Sequence, residues 1–335
     1  MSKRYDKRGD RPTKNGFGEG LAEAGKNHPE LIALGADITG SVGMDHFASR
    51  FPERFFSMGI AEQNCIGVSA GLALSGKIPV FATYGVFAAQ RTTDFIRISV
   101  CYNELHVVIG GAHAGISVGP DGATHQALED IATMRVLPNM TVLSPCDATQ
   151  TKLATIAAIE QVKGPVYLRF GRAPVPDFTD KNEEFIVGKG QIMHEGNDIS
   201  IIATGHMVWE ALEAARKLAQ NGIQARVINM HTVKPVDEEI LIQAARETGA
   251  IVTAEEHQLT GGLGSTVAEV LAKHYPVKIS MIGMPDCFGE SGEPGELMDK
   301  YGLRAGTIVE KAFELINSGL RSPVAGYRKG KSEKE

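Results

Sequence analysis

Glu62 is a carboxyl residue at the start of an apolar, helix-like stretch, within residues 59–64 (GIAEQN). Negative charge suits the partial positive charge of a helix N-terminus, so one interpretation is a helix-start residue. The stretch after Glu62 has the composition of a buried helix. A carboxyl group that is buried without an ionic partner stays protonated or shares its proton with a ligand. Glu62 is therefore also a candidate for hydrogen bonding to a ring nitrogen and activating a cofactor.

A second group of reactive side chains lies in residues 111–126 (GAHAGISVGPDGATHQ), which follow a predicted strand at 106–110. Open α/β sheets place ligands at the carboxyl ends of their strands. A single loop histidine is more often a hydrogen-bonded surface group than a catalyst. His113 and His125, however, flank Asp121 in one long, glycine-rich loop. Together they indicate a site that binds a phosphate or polyol and moves protons near neutral pH.

The elements around these residues alternate between strand and helix. We predict strands at 31–35, 78–82, 106–110, 141–143 and 166–170, and helices over 60–75, 88–102, 127–136 and 147–162. This alternation is typical of βαβ units, with a parallel sheet between helices. Gly67 and Gly71, four residues apart, let another backbone approach closely, so we expect the helix over 60–75 to be packed on most sides.

A chain of 335 residues is longer than one hydrophobic core usually serves. Pro174 and Pro176 interrupt the alternation, which begins again near residue 199. We therefore predict an α/β protein with two consecutive doubly wound, mostly parallel-sheet domains. The predicted parts are a basic disordered tail (1–10), a first domain (11–175), a linker (176–190), a second domain (191–320) and a charged tail (321–335).

Composition narrows the class of protein. The chain is 43% hydrophobic and 22% charged with a net charge of −6, which argues against nucleic acid as the main partner. Its four cysteines are far apart and form no CxxC pair, which predicts reduced thiols in a cytoplasmic protein without a zinc site. The N-terminus is polar, unlike a signal peptide. Residues 65–89 carry one charge, Lys77, but Gly76 and Pro79 divide them, which favours a buried helix and strand over a membrane span.

Three segments, at 59–64, 121–126 (DGATHQ) and 169–172 (RFGR), resemble transketolase in their order and spacing. The resemblance covers residues 11–320 and involves only the pyrimidine-binding and C-terminal domains of that family. Transketolases use thiamine diphosphate and Mg²⁺ to move a two-carbon ketol unit from a ketose phosphate to an aldose phosphate. Glu62 matches the family's essential glutamate, which hydrogen-bonds N1′ of the aminopyrimidine and promotes the tautomer that deprotonates the thiazolium ring.

The resemblance also implies roles for other residues. In the cofactor pocket, Phe87 would pack on the pyrimidine, with Tyr84 and Asp37 beside the cofactor. His125 would contact the reacting ketol oxygens and act in catalysis with Glu62. Asp121 would bind a sugar hydroxyl. The residues that would bind the substrate phosphate are Ser41, His113, Arg172 and Arg11.

The sequence departs from the family in two ways. Thr93 stands where many relatives carry an aromatic residue, so either the pocket is altered or the helix is shifted. The Gly-Asp-Gly motif that holds Mg²⁺ is missing from the sequence. A bound diphosphate needs Mg²⁺ or clustered cations. We therefore predict no metal ligands in this chain and a separate N-terminal subunit that holds the diphosphate and Mg²⁺, in an α2β2 assembly.

Other functions stay open at this point. The chain could be the beta-type subunit of a 2-oxoacid dehydrogenase, or resemble the distal part of 1-deoxyxylulose-5-phosphate synthase. It could also be a non-catalytic subunit that completes a dimer. The run around His113 favours transketolase, but it does not distinguish among sugar substrates. Residues 255–257 (EEH) end a strand and could be a metal pair, but a strand-end cluster near a domain contact is the preferred interpretation. His206 and His231 are interpreted as structural.

Overall fold

A computed structural model describes residues 5–318; the predicted charged tail at 321–335 lies outside the described residues. The strands, in chain order, are β1 (Asp10–Pro12), β2 (Leu31–Gly35), β3 (Phe55–Ser57), β4 (Ile78–Tyr84), β5 (Val108–Ala112), β6 (Thr141–Leu143), β7 (Val166–Arg169), β8 (Pro174–Pro176), β9 (Gln191–His194), β10 (Ile199–Ala203), β11 (Ala225–Asn229), β12 (Thr232–Lys234), β13 (Ala250–Gln258) and β14 (Lys278–Met284).

The α-helices, in chain order, are α1 (Thr13–Asn27), α2 (Asp45–Arg50), α3 (Glu62–Leu74), α4 (Thr93–Phe95), α5 (Asp130–Arg135), α6 (Ala148–Glu160), α7 (Met207–Ala219), α8 (Glu238–Thr248), α9 (Leu263–His274), α10 (Pro294–Lys300) and α11 (Ala305–Asn317). Short 3₁₀ turns lie at Pro52–Arg54 and Ile116–Asp121. Within residues 5–318 there is no helix with the length and apolar character needed to cross a membrane.

Two larger sheets organise the chain, in agreement with the predicted fold class. The first has seven strands in the order β12-β6-β7-β5-β4-β2-β3, and the second has five in the order β14-β13-β10-β11-β9. Neighbouring strands are parallel except at one edge of each sheet, where β12 runs antiparallel to β6 and β9 to β11. β12 lies within the predicted second domain but extends the first sheet, which ties the two domains together.

Both sheets are covered on two faces, because their strands are apolar on both sides. On the first sheet, one core contains Phe17 and Phe47 from α1 and α2, and the opposite core contains Ile66 and Ile131 from α3 and α5. On the second sheet, α7 and α11 contribute to one core and α8 and α9 to the other. The structure is therefore doubly wound in both halves.

The segment predicted as one helix over 88–102 is irregular. It consists of π-helical residues Phe87–Arg91, the single turn of α4, and π-helical residues Ile96–Cys101. The Thr92 hydroxyl donates to the Ala88 carbonyl at 2.6 Å, and the Thr93 hydroxyl donates to the Ala89 carbonyl. Such side-chain bonds to the preceding turn bend helices, and π-bulges are frequent at functional sites.

The structure differs from the predicted disordered tail at residues 5–10. Tyr5 is buried and makes an edge contact with Phe178, and Asp10 pairs with Pro176 in the antiparallel β1–β8 ribbon. The predicted linker contains buried Phe178 and Phe185. These segments pack against the domains because each carries aromatic side chains that gain stability when they are removed from water.

Candidate active site

Four segments with polar side chains follow the carboxyl ends of the adjacent strands β7, β5, β4 and β2. They span residues 170–172, 113–126, 85–91 and 36–41. Parallel neighbours bring these ends to one edge of the first sheet, where α/β proteins bind ligands. The edge therefore gathers the segments that the sequence singled out.

Glu62 begins α3 and is 2% exposed. The expectation of a buried carboxyl group without an ionic partner is wrong in this structure. Arg91 Nη1 donates to Glu62 Oε2 at 2.9 Å. In this geometry Glu62 Oε2 is a hydrogen-bond acceptor, and the place beside it is taken by the Arg91 guanidinium.

The Phe87 ring connects Glu62 to the histidines. Arg91 lies four residues after Phe87, and its guanidinium carbon is 4.3 Å from the centre of that ring. The ring also lies 5.9 Å from the Tyr84 ring and 5.5 Å from the His125 ring, between centroids. Glu62, Arg91, Phe87 and His125 thus form one contiguous surface.

Tyr84 extends this surface to the phosphate candidates. Its ring centroid is 4.3 Å from that of His113 and 5.6 Å from that of His125. The Tyr84 hydroxyl and the Ser41 hydroxyl are hydrogen-bonded at 2.9 Å. Lys14 Nζ donates to the Ser41 carbonyl at 3.1 Å, which adds a cation that the sequence prediction did not include.

His113 is 1% exposed and has a left-handed backbone conformation, with φ of +55°. Non-glycine residues in this conformation cost of order 1 kcal/mol or more and cluster at functional sites. Burial, then the nearby Arg172 and Lys14 cations, lower the pKa of His113 to about 4. Its ring is therefore neutral at pH 7, and its buried Nδ1 has no hydrogen-bond partner among the described residues.

Asp121 and Arg172 form a partly exposed ion pair, with 2.7 Å between Oδ1 and Nη1. The pair joins the loop after β5 to the end of β7, and the positive charge of Arg172 helps to lower the pKa of His113. His125 Nδ1 lies 2.9 Å from the hydroxyl of Thr124. Cations, a carboxylate and two imidazoles therefore lie close together at this edge of the sheet.

Two predicted residues do not join this cluster through any described contact. Asp37 is exposed in the turn after β2, with φ of +64°. Arg11 lies in β1, where its guanidinium pairs with Asp177 at 3.3 Å and with Glu19. Conversely, sequence reasoning missed Arg91, although its spacing of four from Phe87 predicts a shared helical face. Lys14 carried no comparable sequence signal.

The second domain supports the loop after β5. Glu256 Oε1 accepts a hydrogen bond from the Ser117 amide at 2.5 Å, and His257 Nε2 accepts one from the Ala132 amide at 3.3 Å. The predicted strand-end cluster at a domain contact is thereby confirmed. Within residues 5–318, no group of three or more His, Cys, Asp or Glu side chains is arranged to hold a metal ion.

Comparison with protein families matches two domains along the chain. Residues 10–177 match the transketolase pyrimidine-binding domain, and residues 188–308 match the transketolase C-terminal domain. Among solved structures, the chain is similar to a split-gene transketolase described as an inactive β4 tetramer. That similarity has a TM-score of 0.86 and 47% identity, and it covers 93% of this chain and 99% of the other.

Several relatives are similar over nearly the whole chain. A putative transketolase C-terminal section from Methanocaldococcus jannaschii is 46% identical, covering 90% of this chain and 95% of the relative. The SqwH component of a 6-deoxy-6-sulfo-D-fructose transketolase from Clostridium sp. is 43% identical, covering 88% and 91%. One of the subunits of an apulose-4-phosphate transketolase from Phocaeicola vulgatus is 39% identical, covering 90% and 97%.

A 1-deoxy-D-xylulose-5-phosphate synthase from Geobacter sulfurreducens is also similar, with 41% identity, covering 87% of this chain and 46% of the synthase. The subunit-sized relatives are thus matched along almost their full length, whereas the synthase is matched over less than half of its own. Both domain matches and the subunit-sized relatives lead to the same assignment. This chain belongs to the transketolase family, as a C-terminal section with the pyrimidine-binding and C-terminal domains.

Proposed function

We propose that the chain is the C-terminal subunit of a two-chain, thiamine-diphosphate-dependent transketolase. The reaction would move a two-carbon ketol unit from a ketose phosphate to an aldose phosphate. The observation that carries this proposal is the continuous contact from Glu62 through Arg91 and Phe87 to His125. It joins a buried carboxylate to the imidazole of His125 across one aromatic ring. His125 belongs to the loop after β5, residues 113–126, which is called the substrate loop below.

The residues beside Phe87 fit the aminopyrimidine ring of thiamine. The Arg91 guanidinium is planar, lies on the Phe87 ring and donates an N–H to Glu62. An aminopyrimidine is also planar, and its ring nitrogen could take the same place against Glu62. Aromatic stacking adds about 0.5–1.5 kcal/mol beyond the area buried. The space next to Glu62 therefore suits a flat, nitrogen-containing ring.

When bound, thiamine diphosphate supplies the nucleophilic carbon that takes up the two-carbon unit. Glu62 would hold a proton against the pyrimidine N1′, since burial keeps water from competing for that hydrogen bond. Phe87 would fix the plane of the ring, with Tyr84 beside it. His125, whose ring packs against both aromatic side chains, would exchange protons with the ketol oxygens. Asp37 is proposed to lie near the cofactor at the end of β2.

The sugar phosphate would bind beside His113. Arg172 and Lys14 supply positive charge there, and the His113 imidazole offers an unpartnered nitrogen. A phosphate held by these groups would favour protonation of His113, because an anion stabilises the imidazolium. Ser41 would add a hydroxyl donor, and Asp121 would accept from a sugar hydroxyl. Arg11 keeps its role as a proposed second phosphate arginine only if its pairs with Asp177 and Glu19 open.

A partner polypeptide is part of the proposal. We propose that the diphosphate and Mg²⁺ are held by an N-terminal subunit, and that this chain also pairs with itself to give an α2β2 assembly. An exposed face formed by α3 and residues 95–102 supports this idea, and it is called the α3 face below. Its small and apolar residues are Gly67, Gly71, Leu74, Phe95, Ile98 and Tyr102. Clusters of this kind mark protein interfaces.

The glycines in this face give it a specific shape. A Cβ atom added to Gly67 or Gly71 would meet nothing within 4 Å. The expected close approach of another backbone therefore does not occur within residues 5–318. A helix from another subunit could use that space, as small residues four apart allow. The similar split-gene transketolase is described as a β4 tetramer, so that protein does associate through one type of chain.

The decisive experiment combines this chain with a purified N-terminal transketolase subunit, thiamine diphosphate and Mg²⁺. We expect ketol transfer only from the mixture. Glu62→Gln should reduce transfer by at least about two orders of magnitude without changing the sedimentation of the assembly, because the amide cannot exchange the proton. Glu104→Gln, at an exposed site, is the matched control. Near-normal transfer by Glu62→Gln would contradict the mechanism.

The choice of donor distinguishes the related thiamine enzymes. Similarity to 1-deoxy-D-xylulose-5-phosphate synthase makes pyruvate the informative alternative to a ketose phosphate. A preference for pyruvate would replace transketolase with a synthase or 2-oxoacid dehydrogenase function. Full activity of the N-terminal chain alone would instead indicate a non-catalytic role for this chain.

A further inference from the structure

Glu256 connects the second domain to the loop that carries the proposed substrate residues. It lies near the carboxyl end of β13 and is 4% exposed. Its Oε1 accepts from the Ser117 amide at 2.5 Å, and its Oε2 lies 2.9 Å from His206 Nδ1. Both carboxylate oxygens are thus engaged, one by the loop and one by a histidine of its own domain.

The loop backbone is shaped to receive this carboxylate. Gly115 has φ of +89°, and a Cβ atom added there would lie 2.2 Å from the Glu256 carboxyl carbon. The Gly115 amide donates to the Ala127 carbonyl at 2.9 Å, which closes the base of the loop. The carboxylate therefore packs directly on the backbone between His113 and Ser117, where a side chain at position 115 would prevent the contact.

The pair lies between the domains, with Glu256 buried and His206 half-buried. Burial opposes the imidazolium, but the Glu256 carboxylate outweighs it and raises the pKa of His206, with Glu210 adding to the effect and Arg169 opposing it. Burial also opposes the Glu256 carboxylate, but His206 and Arg169 lower its pKa overall. Arg169 Nη2 further donates to the Glu256 carbonyl at 2.8 Å. These groups favour the ionised form of both members.

We propose that Glu256, held by His206, is a positioning residue that sets the geometry of His113, Asp121 and His125. The inference rests on the proposed function, because these three residues act there on the sugar phosphate. Ser117 lies midway in the chain between His113 and Asp121, so its amide fixes the loop between two substrate groups. A displacement near 1 Å of a bound substrate or catalytic group can cost about 100-fold in rate.

The neighbouring residue, Glu255, provides a matched control. It belongs to the same strand and is fully buried, but its carboxylate contacts the second domain and not the substrate loop. There it accepts from the Leu263 amide at 2.7 Å and the Gly264 amide at 2.8 Å, at the start of α9. Replacing Glu255 therefore disturbs the second domain without removing a contact to the substrate loop.

The test compares Glu256→Ala, Glu256→Gln and Glu255→Gln in the two-chain assembly. For Glu256→Ala we expect the KM for the ketose phosphate to rise roughly tenfold, which corresponds to the loss of one hydrogen bond to a charged group. The Kd for thiamine diphosphate should change by less than about twofold, because Glu62 and Phe87 make no contact with Glu256. Glu256→Gln keeps one of two acceptors and should recover part of the KM.

Glu255→Gln should lower thermal stability and leave KM unchanged. An equal rise of KM in Glu255→Gln and Glu256→Ala would overturn the inference, since it would indicate general loosening of the domain. An unchanged KM in Glu256→Ala would also overturn the inference. If Glu256→Ala does not fold, Glu256→Gln and His206→Gln provide the same comparison.

Two further readouts separate positioning from a merely structural role. The wild-type KM for the ketose phosphate should rise at alkaline pH as His206 loses its proton, and His206→Gln should abolish that rise. If the rise persists in His206→Gln, the role of His206 is wrong. Amide hydrogen exchange at Ser117 should quicken in Glu256→Ala but not in Glu255→Gln. This exchange does not depend on ketol transfer, so it tests the Glu256 contact even if the proposed function fails.

Discussion

Replacing Arg91 by alanine should tighten binding of thiamine diphosphate to the two-chain assembly. In the structure Arg91 pairs with Glu62 and lies on Phe87, the two groups proposed to receive the aminopyrimidine. The cofactor must displace this guanidinium before its ring can reach either group. Removing Arg91 removes a competitor, whereas removing a true cofactor ligand would have the opposite effect.

The magnitude follows from the two contacts that must break. The Arg91 side chain is 40% exposed, so its ion pair with the buried Glu62 carboxylate contributes about 0.5–1 kcal/mol after solvent screening. Its contact with the Phe87 ring adds about 0.5–1 kcal/mol. Their sum, about 1–2 kcal/mol, corresponds to a Kd lower by roughly 5- to 30-fold.

Isothermal titration of the assembly with thiamine diphosphate at saturating Mg²⁺ measures this effect. Arg97→Ala, which removes an exposed arginine from the same irregular segment, should leave Kd within about twofold and serves as the control. In the cofactor-free chain, Arg91→Ala should lower the free energy of unfolding, because Glu62 is left buried without its partner. Weaker cofactor binding by Arg91→Ala would refute the displacement argument.

Three other predictions concern stability and assembly. Asp130→Asn should lower the free energy of unfolding, measured in urea, by about 3–5 kcal/mol. The reason is that the buried Asp130 carboxylate accepts hydrogen bonds from Arg169 Nε at 2.9 Å and from the Tyr167 hydroxyl at 2.8 Å. A loss below about 1 kcal/mol would contradict this prediction. Burial lowers the pKa of His231 to about 4, so the unfolded chain takes up a proton before the folded one and stability is lost as pH falls from 6.5 towards 4. The wild type should therefore lose about 1 kcal/mol more than His231→Gln between pH 7.5 and 5.5, and equal losses would refute this assignment. Gly71→Leu, in the α3 face, should preserve the stability of the isolated chain but weaken association between chains in sedimentation experiments. Unchanged association would exclude the α3 face as an interface.

The sequence by itself determined the class of fold and the edge of the sheet that carries the site. Strands β2 and β6 begin and end at the predicted residues, Leu31–Gly35 and Thr141–Leu143. These predictions succeed because the alternation of apolar strands and helices is a local property of the chain. The rule that parallel strands present their carboxyl ends at one edge then locates the loop after β5 without further information.

The tertiary structure alone decided which groups face each other within that edge. Arg91 meets Glu62 because the segment from 87 to 101 is not a regular helix, and its threonine back-bonds depend on the surrounding packing. Glu256 meets Ser117 across 139 positions of sequence. Local patterns specify secondary structure, but contacts between distant segments depend on how whole elements pack, and that information is distributed over both domains.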